Sequence, residues 1–329
     1  MIALCLAIAL SQEDPAQTGP YSVVVETRHY RDDQRNRSLH TELWLPGPTA
    51  SGEAPPQRAP VVLFSHGFAG TRLQSRFLCT HLASHGYVVA APDHEGNTFL
   101  DLNLFKVTQS SIERPHDLRV LLDKLVEEGH SPDSPLFGRF DAQRSAAVGH
   151  SFGGYTALAT VGAWLDLREK KARGNAKPSD PDYMDFDDPR IVAAVALTPV
   201  MTPYLTPDSV RMVRKPVLII GASRDAQTSP RLHQEPLFQA LHGVRYLGVI
   251  EGATHFNFCD QDFIDAAPLV IRTLHRPTID RKAADTLILR QTTAFLEHYL
   301  RGSPRYDRWL SAKQDHLDWR AAGPKPGDS

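Results

Sequence analysis

Ser151 stands at the centre of Gly149-His-Ser-Phe-Gly153, a G-x-S-x-G pentapeptide in which only glycines flank the serine at two residues' distance. An apolar run precedes it and a helical pattern follows, so the chain turns there from strand into helix. Such a turn strains the serine backbone and exposes its Oγ above the helix N-terminus, where a backbone N–H can stabilise an oxyanion. A serine hydroxyl is a poor nucleophile at neutral pH and needs a base. His255 follows an apolar run and the Gly252 turn, and Asp225 follows another such run. Both are expected to project over the sheet edge that carries Ser151, with Asp225 orienting the imidazole. Asp208 and Asp260 compete for that role but are less suitably placed, one before a strand and the other beyond the histidine. His66-Gly67-Phe68 follows a further apolar run, so the Phe68 N–H is expected to join that of Phe152 in an oxyanion hole. Phe68, Phe152, Tyr204 and Phe256 would place aromatic surface near Ser151, which suits an apolar acyl chain.

Other residues have plainer readings. Ser151 as a simple helix cap is the alternative to the nucleophile. His150 reads as a packing and hydrogen-bonding residue. His81 and His85 are four apart on a helix, but no motif with a catalytic glutamate accompanies them, so no metal is expected there. Cys79 and Cys259 read as free buried thiols, with a disulfide as the alternative. No cofactor is expected.

The elements that must position these groups alternate. Strands are expected over 21–27, 39–45, 61–64, 87–91, 146–148, 191–197, 217–220 and 244–250. Helices are expected over 72–84, 112–128, 236–241 and 283–300, and after Ser151 on Tyr155, Leu158, Val161 and Leu165. The continuous apolar strands indicate a mainly parallel central sheet flanked by helices, with the strand C-termini forming the site. Segment 166–190 has a basic start and a run of aspartates. A segment of this length is a solvated insertion or a lid. One domain is expected over 20–302, with 303–329 a polar tail packed loosely on it.

The 329 residues are 41% hydrophobic and 22% charged, enough for a large core. The net charge of −2 gives no reason to expect nucleic acid or an anionic membrane as partner. No internal stretch reaches the roughly 18 apolar residues of a membrane span. Residues 1–11 are mostly apolar and end in a small-x-small pattern, which reads as a signal peptide without its positive start. The expected location is therefore secreted or periplasmic, and cytoplasmic otherwise. The oligomeric state is not readable.

Phe64-Ser-His-Gly-Phe68, Leu82-Ala-Ser-His-Gly-Tyr87, Arg114-Pro-His-Asp117, the elbow, Asp188-Pro-Arg-Ile191 and Gly252-Ala-Thr-His-Phe-Asn-Phe258 carry a resemblance. Over about 61–300 the chain resembles the α/β-hydrolase superfamily, in its branch of dienelactone-hydrolase-like and platelet-activating-factor-acetylhydrolase-like esterases. It is also similar to bacterial polyester hydrolases and chlorophyllases. The resemblance implies an α/β-hydrolase fold and a serine carboxylic-ester hydrolase acting through an acyl-enzyme, with a small-molecule or lipid-like ester as substrate. The order Ser151, Asp225, His255 is the one this superfamily uses. Dienelactone hydrolases proper use a cysteine where Ser151 stands. In the acetylhydrolases the acid follows the strand that here is 191–197, where Thr198 and Pro199 stand instead. Asp225 matches the acid position of the polyester-hydrolase-like members. The platelet-activating-factor and polyester types remain alternatives, as does thioester hydrolysis. In another class, a non-catalytic binding protein of the same fold is the alternative.

Overall fold

Side chains of the apolar runs divide between two faces of one sheet. Val61, Leu63 and Ala147 enter the core on one face, while Val62, Phe64 and Val148 enter the core on the other. The structure is a computed structural model that describes residues 14–324 except 178, 202 and 268. The expected signal peptide at 1–11 lies outside the described residues. The strands are β1 (Tyr21–Asp32), β2 (Arg37–Thr49), β3 (Ala59–Ser65), β4 (Val88–Pro92), β5 (Phe140–His150), β6 (Leu165–Asp166), β7 (Tyr183–Met184), β8 (Ile191–Leu197), β9 (Val217–Ala222), β10 (Arg245–Ile250) and β11 (Leu317–Ala322). The helices are α1 (Arg76–Ser84), α2 (Val107–His130), α3 (Phe152–Ala159), α4 (Arg168–Ala172), α5 (Pro207–Val210), α6 (Gln234–Ala240), α7 (Gln261–Ala266), α8 (Leu269–Leu274) and α9 (Arg281–Arg301).

The main sheet has the order β1-β2-β4-β3-β5-β8-β9-β10-β11. Strands β4, β3, β5, β8, β9 and β10 are parallel, and antiparallel pairs close the edges. Leu118, Leu121 and Leu122 of α2 and Leu158 of α3 cover one face; Leu78 and Leu82 of α1 and Ile288 and Phe295 of α9 cover the other. This is the α/β-hydrolase fold. Its register places the strand ends level, with Ser65 opposite Gly149, His150 opposite Leu197, and Ala222 opposite Ile250. No helix among the described residues is long and apolar enough to cross a membrane.

Four elements depart from the sequence expectations. α2 begins at Val107 and carries Pro115 inside it. Proline lacks the N–H that would bond the carbonyl four residues back, on Ser111. The Tyr155 hydroxyl donates to that carbonyl at 2.7 Å, so the helix continues through the proline. α3 stops at Ala159, and Leu165, expected on its face, belongs to β6. Gly162, at φ 102°, turns the chain between them.

The 166–190 segment is solvent-exposed over most of its described residues from 172 to 185, as expected of a solvated insertion, but it also carries secondary structure of its own. β6 pairs with β7, α4 lies between them, and the buried Lys170 places its ammonium 4.5 Å from the centre of the Tyr204 ring. Its aspartates pair with the chain's own cations, Asp182 with Lys171, Asp187 with Lys215 and Asp188 with Arg190. The described part of the tail, 303–324, is not loosely packed. β11 adds to β10 as an edge strand, because Leu317 and Trp319 share one face and meet the sheet. Trp319 donates to the Leu310 carbonyl at 2.8 Å and lies so close to Gly248 that a Cβ there would sit 3.0 Å from its ring.

Tyr155→Phe leaves the Ser111 carbonyl buried without a partner. It is expected to lower unfolding stability by about 1–2 kcal/mol in urea titration, and an unchanged midpoint would show that another donor takes the carbonyl.

Candidate active site

β5 delivers Ser151 at its C-terminal end, and α3 begins at the next residue. Ser151 sits at φ 56°, ψ −114°, a conformation that costs a non-glycine residue about 1–3 kcal/mol. Its N–H donates to the Leu197 carbonyl at 2.8 Å, and its C=O accepts from Gly154 at 2.9 Å. The flanking glycines are steric requirements. A Cβ on Gly153 would lie 1.9 Å from the Ser65 carbonyl oxygen, and one on Gly149 would lie 2.0 Å from the Gly153 oxygen. The elbow therefore packs its backbone directly on the end of β3.

His255 follows β10 and is buried, with Nδ1 2.7 Å from Asp225 Oδ2. Asp225 follows β9, between β8 and β10 in the sheet. Its Oδ1 accepts from the Gln227 and Thr228 N–H groups, both at 2.8 Å, and its Oδ2 from the Thr228 hydroxyl at 2.8 Å. Burial raises the carboxyl pKa, but the His255 bond and charge and the Thr228 donors outweigh it and hold it at about 2. Asp225 is thus a carboxylate whose oxygens are fully engaged, with one aimed at the imidazole. The competing acids lie elsewhere. Asp208 is an exposed partner of Arg211, and Asp260 faces Arg76 and the Phe77 N–H.

The loop after β3 closes over Ser151. A Cβ on Gly67 would come 3.5 Å from the Ser151 Cβ. Neither the Phe68 nor the Phe152 N–H has an acceptor among the described residues, so both remain able to donate to a ligand oxygen. Ser151 is half-buried, and its hydroxyl makes no hydrogen bond among the described residues. The buried Phe152 ring stacks with Tyr204 at 4.8 Å and Tyr155 at 5.6 Å, and Phe68 stands 6.4 Å away with 41% of its surface exposed. Phe256 is buried edge-on to His255 at 5.3 Å.

Behind this loop lies a cluster that periodicity does not reveal. Ser65 Oγ is 2.9 Å from His94 Nε2, and His94 Nδ1 is 2.9 Å from Asp117 Oδ2, all three wholly buried. Arg37 grips Asp117 at 2.9 and 2.8 Å, and Arg35 reaches it at 2.9 Å. The buried Arg114 donates to Thr156 Oγ1, Asn97 Oδ1, Ser65 Oγ and the His66 carbonyl, and its guanidinium lies 4.7 Å over the Phe152 ring. Burial lowers its pKa to about 9 against the pull of Asp117, so it stays charged at neutral pH. The cluster has the residue types of a relay but no access, and it braces the loop. The Phe64-Ser-His-Gly-Phe68 and Arg114-Pro-His-Asp117 motifs mark members of this cluster, but nothing in the sequence pairs them.

His81 and His85 are used by the fold. His81 Nε2 meets the Pro15 carbonyl and Thr293 Oγ1, and His85 Nε2 meets the Gln17 carbonyl. Cys79 and Cys259 are free and buried. No group of three or more His, Cys, Asp or Glu among the described residues is placed to hold a metal ion.

A family model described as platelet-activating factor acetylhydrolase, isoform II, matches residues 31–131 and 123–318. Cutinase est2 of Thermobifida alba is 30% identical over 197 residues, which are 59% of this chain and 52% of that protein. A platelet-activating factor acetylhydrolase of Cavia porcellus is 24% identical over 292 residues, 78% of this chain and 61% of that protein. One of Bos taurus is 23% identical over 303 residues, 79% and 62% respectively. The chain spans about half to three-fifths of the length of these relatives.

The Asp225 carboxylate is more acidic folded than its unfolded value of 3.8, so it stabilises the fold above that value and the contribution is lost as pH falls towards about 2. Asp225→Asn is expected to lose about 2 kcal/mol at neutral pH, with the gap to the native protein narrowing below about pH 4. A gap that is constant with pH in urea titrations would exclude this account. Gly153→Ala drives a methyl into the Ser65 carbonyl, and a loss of at least about 2 kcal/mol is expected by the same measurement.

Proposed function

The chain belongs to the platelet-activating factor acetylhydrolase isoform II family, and on that premise we propose that it is a serine carboxylic-ester hydrolase with Ser151, His255 and Asp225 as its triad. The observation that carries the proposal is the 2.7 Å bond between His255 and a carboxylate held at about 2, together with a strained serine at a strand-to-helix turn. His255 takes the Ser151 proton through Nε2 as Oγ attacks the ester carbonyl. Asp225 fixes the Nδ1–H tautomer and stabilises the imidazolium that forms. The Phe68 and Phe152 N–H groups receive the developing oxyanion, each worth on the order of 3 kcal/mol in the transition state. His255 then protonates the leaving alcohol, and a water activated by the same imidazole releases the acid from Ser151.

In this reading Phe68, Phe152 and Tyr204 line the acyl side, with Phe256 behind the imidazole. They favour an apolar acyl group over a charged one. The acid follows β9, as the resemblance to polyester hydrolases implies, and this supports an ester of that type over a platelet-activating-factor-type phospholipid. The Lys170 contact on Tyr204 makes the 166–190 segment part of the same wall.

Hydrolysis of p-nitrophenyl esters from acetyl to palmitoyl tests this directly. Ser151→Ala is expected to lower kcat by at least about 1,000-fold with the fold intact. Near-native turnover in that variant would remove Ser151 as nucleophile.

A further inference from the structure

Three hydrogen bonds run in series from the loop after β3 to the backbone of His255. The Gly67 N–H donates to Gln74 Oε1 at 3.0 Å, Gln74 Nε2 lies 2.8 Å from His150 Nδ1, and His150 Nε2 lies 2.9 Å from the His255 carbonyl oxygen. A backbone N–H only donates and a backbone carbonyl only accepts, so both ends of the series have fixed polarity. The Gln74 amide must therefore turn its oxygen to Gly67 and its NH₂ to His150. His150 must be neutral, with its proton on Nε2. No other placement of protons satisfies all three bonds.

The surroundings leave this series no slack. Gln74 and His150 are each 2% exposed, so water does not stand in for either partner. Burial, and then the neighbouring His255, push His150 down to about 3, which keeps it neutral near pH 7. A Cβ on Gly70 would lie 2.2 Å from Gln74 Oε1, and one on Gly67 would lie 3.0 Å from His150 Nδ1. The loop is thus shaped around these two side chains. The Gln74 carbonyl also accepts from the Asp260 N–H at 2.8 Å, which ties the segment beyond His255 to the same residue.

We propose that Gln74 and His150 are positioning residues that hold the oxyanion loop and the catalytic base at a fixed separation across Ser151. Through Gly67 they set the direction of the next N–H, on Phe68. Through the His255 carbonyl they set the seat of the imidazole. Neither side chain hydrogen-bonds the Ser151 hydroxyl or the His255 imidazole, although the His150 and His255 ring centroids lie 4.7 Å apart. The proposal rests on the triad and oxyanion reading given above. Its kinetic signature is a fall in kcat with little change in KM, because only the transition state needs both groups aligned.

The test uses the full chain and p-nitrophenyl butyrate, with Ser151→Ala as the control for the underlying reading. Gln74→Met and His150→Phe remove the polar atoms at similar size, and each is expected to lower kcat about 10- to 100-fold while KM stays within about 3-fold. His150→Gln restores one donor and one acceptor and is expected to recover most of that loss. ¹⁵N spectra of histidine-labelled protein provide a readout that needs no turnover. His150 is expected as the neutral Nε2–H form, converting to the doubly protonated imidazolium in Gln74→Glu, whose carboxylate can only accept at Nδ1 while the His255 carbonyl still accepts from Nε2. Native kcat in folded Gln74→Met and His150→Phe would overturn the proposal. So would an Nδ1–H tautomer in the native protein, or a His150→Gln variant no better than His150→Phe. If the native protein cleaves no ester, the triad reading falls and takes the positioning role with it, whatever the spectra show of the bonds.

Discussion

The site depends on one close approach, that of the elbow backbone to the end of β3. Gly153 lies against the Ser65 carbonyl at a distance no side chain tolerates, and this contact holds Ser151 at φ 56°. The strain is local, whereas the bonds that oppose it come from the whole parallel sheet. β5 is bonded to β3 on one side and β8 on the other, and the Ser151 N–H continues that ladder onto Leu197. A central strand is therefore the place where such a turn can be held. The same geometry leaves the serine hydroxyl without a hydrogen-bond partner among the described residues.

Two sets of serine, histidine and aspartate stand within one loop of each other and differ in accessibility. Ser65, His94 and Asp117 are wholly buried, and the Ser65 hydroxyl is engaged by both His94 and Arg114. In the other set the acid and histidine are also buried, but Ser151 is half-buried and its hydroxyl is unengaged among the described residues. Residue type alone does not separate the proposed nucleophile from the brace. What separates them is whether the serine hydroxyl has capacity and access left for a substrate. The buried set contributes rigidity instead, since a charged Arg114 between Ser65, the His66 carbonyl and the Phe152 ring leaves the loop after β3 few alternative positions.

Aromatic packing links this bracing to the inserted segment. Arg114 lies on Phe152, Phe152 on Tyr204, and Lys170 of α4 over Tyr204. Each contact places a cation or a ring against the next π-face, a geometry worth roughly 0.5–2 kcal/mol per cation contact. Movement of the 166–190 segment would therefore be felt at the residue next to Ser151.

The parts legible in the sequence are those encoded locally. Gly149 and Gly153 around Ser151 specify a turn, continuous apolar runs specify buried parallel strands, and a histidine just past a strand and a Gly252 turn specifies a group at the sheet edge. These patterns arise because sterics and hydrophobic burial act between near neighbours in the chain. The choice of Asp225 over Asp208 and Asp260 was legible only as placement. Its bond to His255 depends on β9 lying beside β10, which is a matter of strand order. The Gln74–His150 series and the Arg114 cluster were not legible, because their partners lie tens of residues apart and polar side chains carry no periodic signal of burial. The tail was misjudged for the same reason. Leu317 and Trp319 look like scattered apolar residues until the open edge of β10 gives them a face to cover. The sequence alone determined the candidate groups and the sheet that presents them; the tertiary structure decided which carboxylate His255 meets, which side chains brace the loop and which edge the tail covers, because those contacts exist only once distant strands are placed side by side.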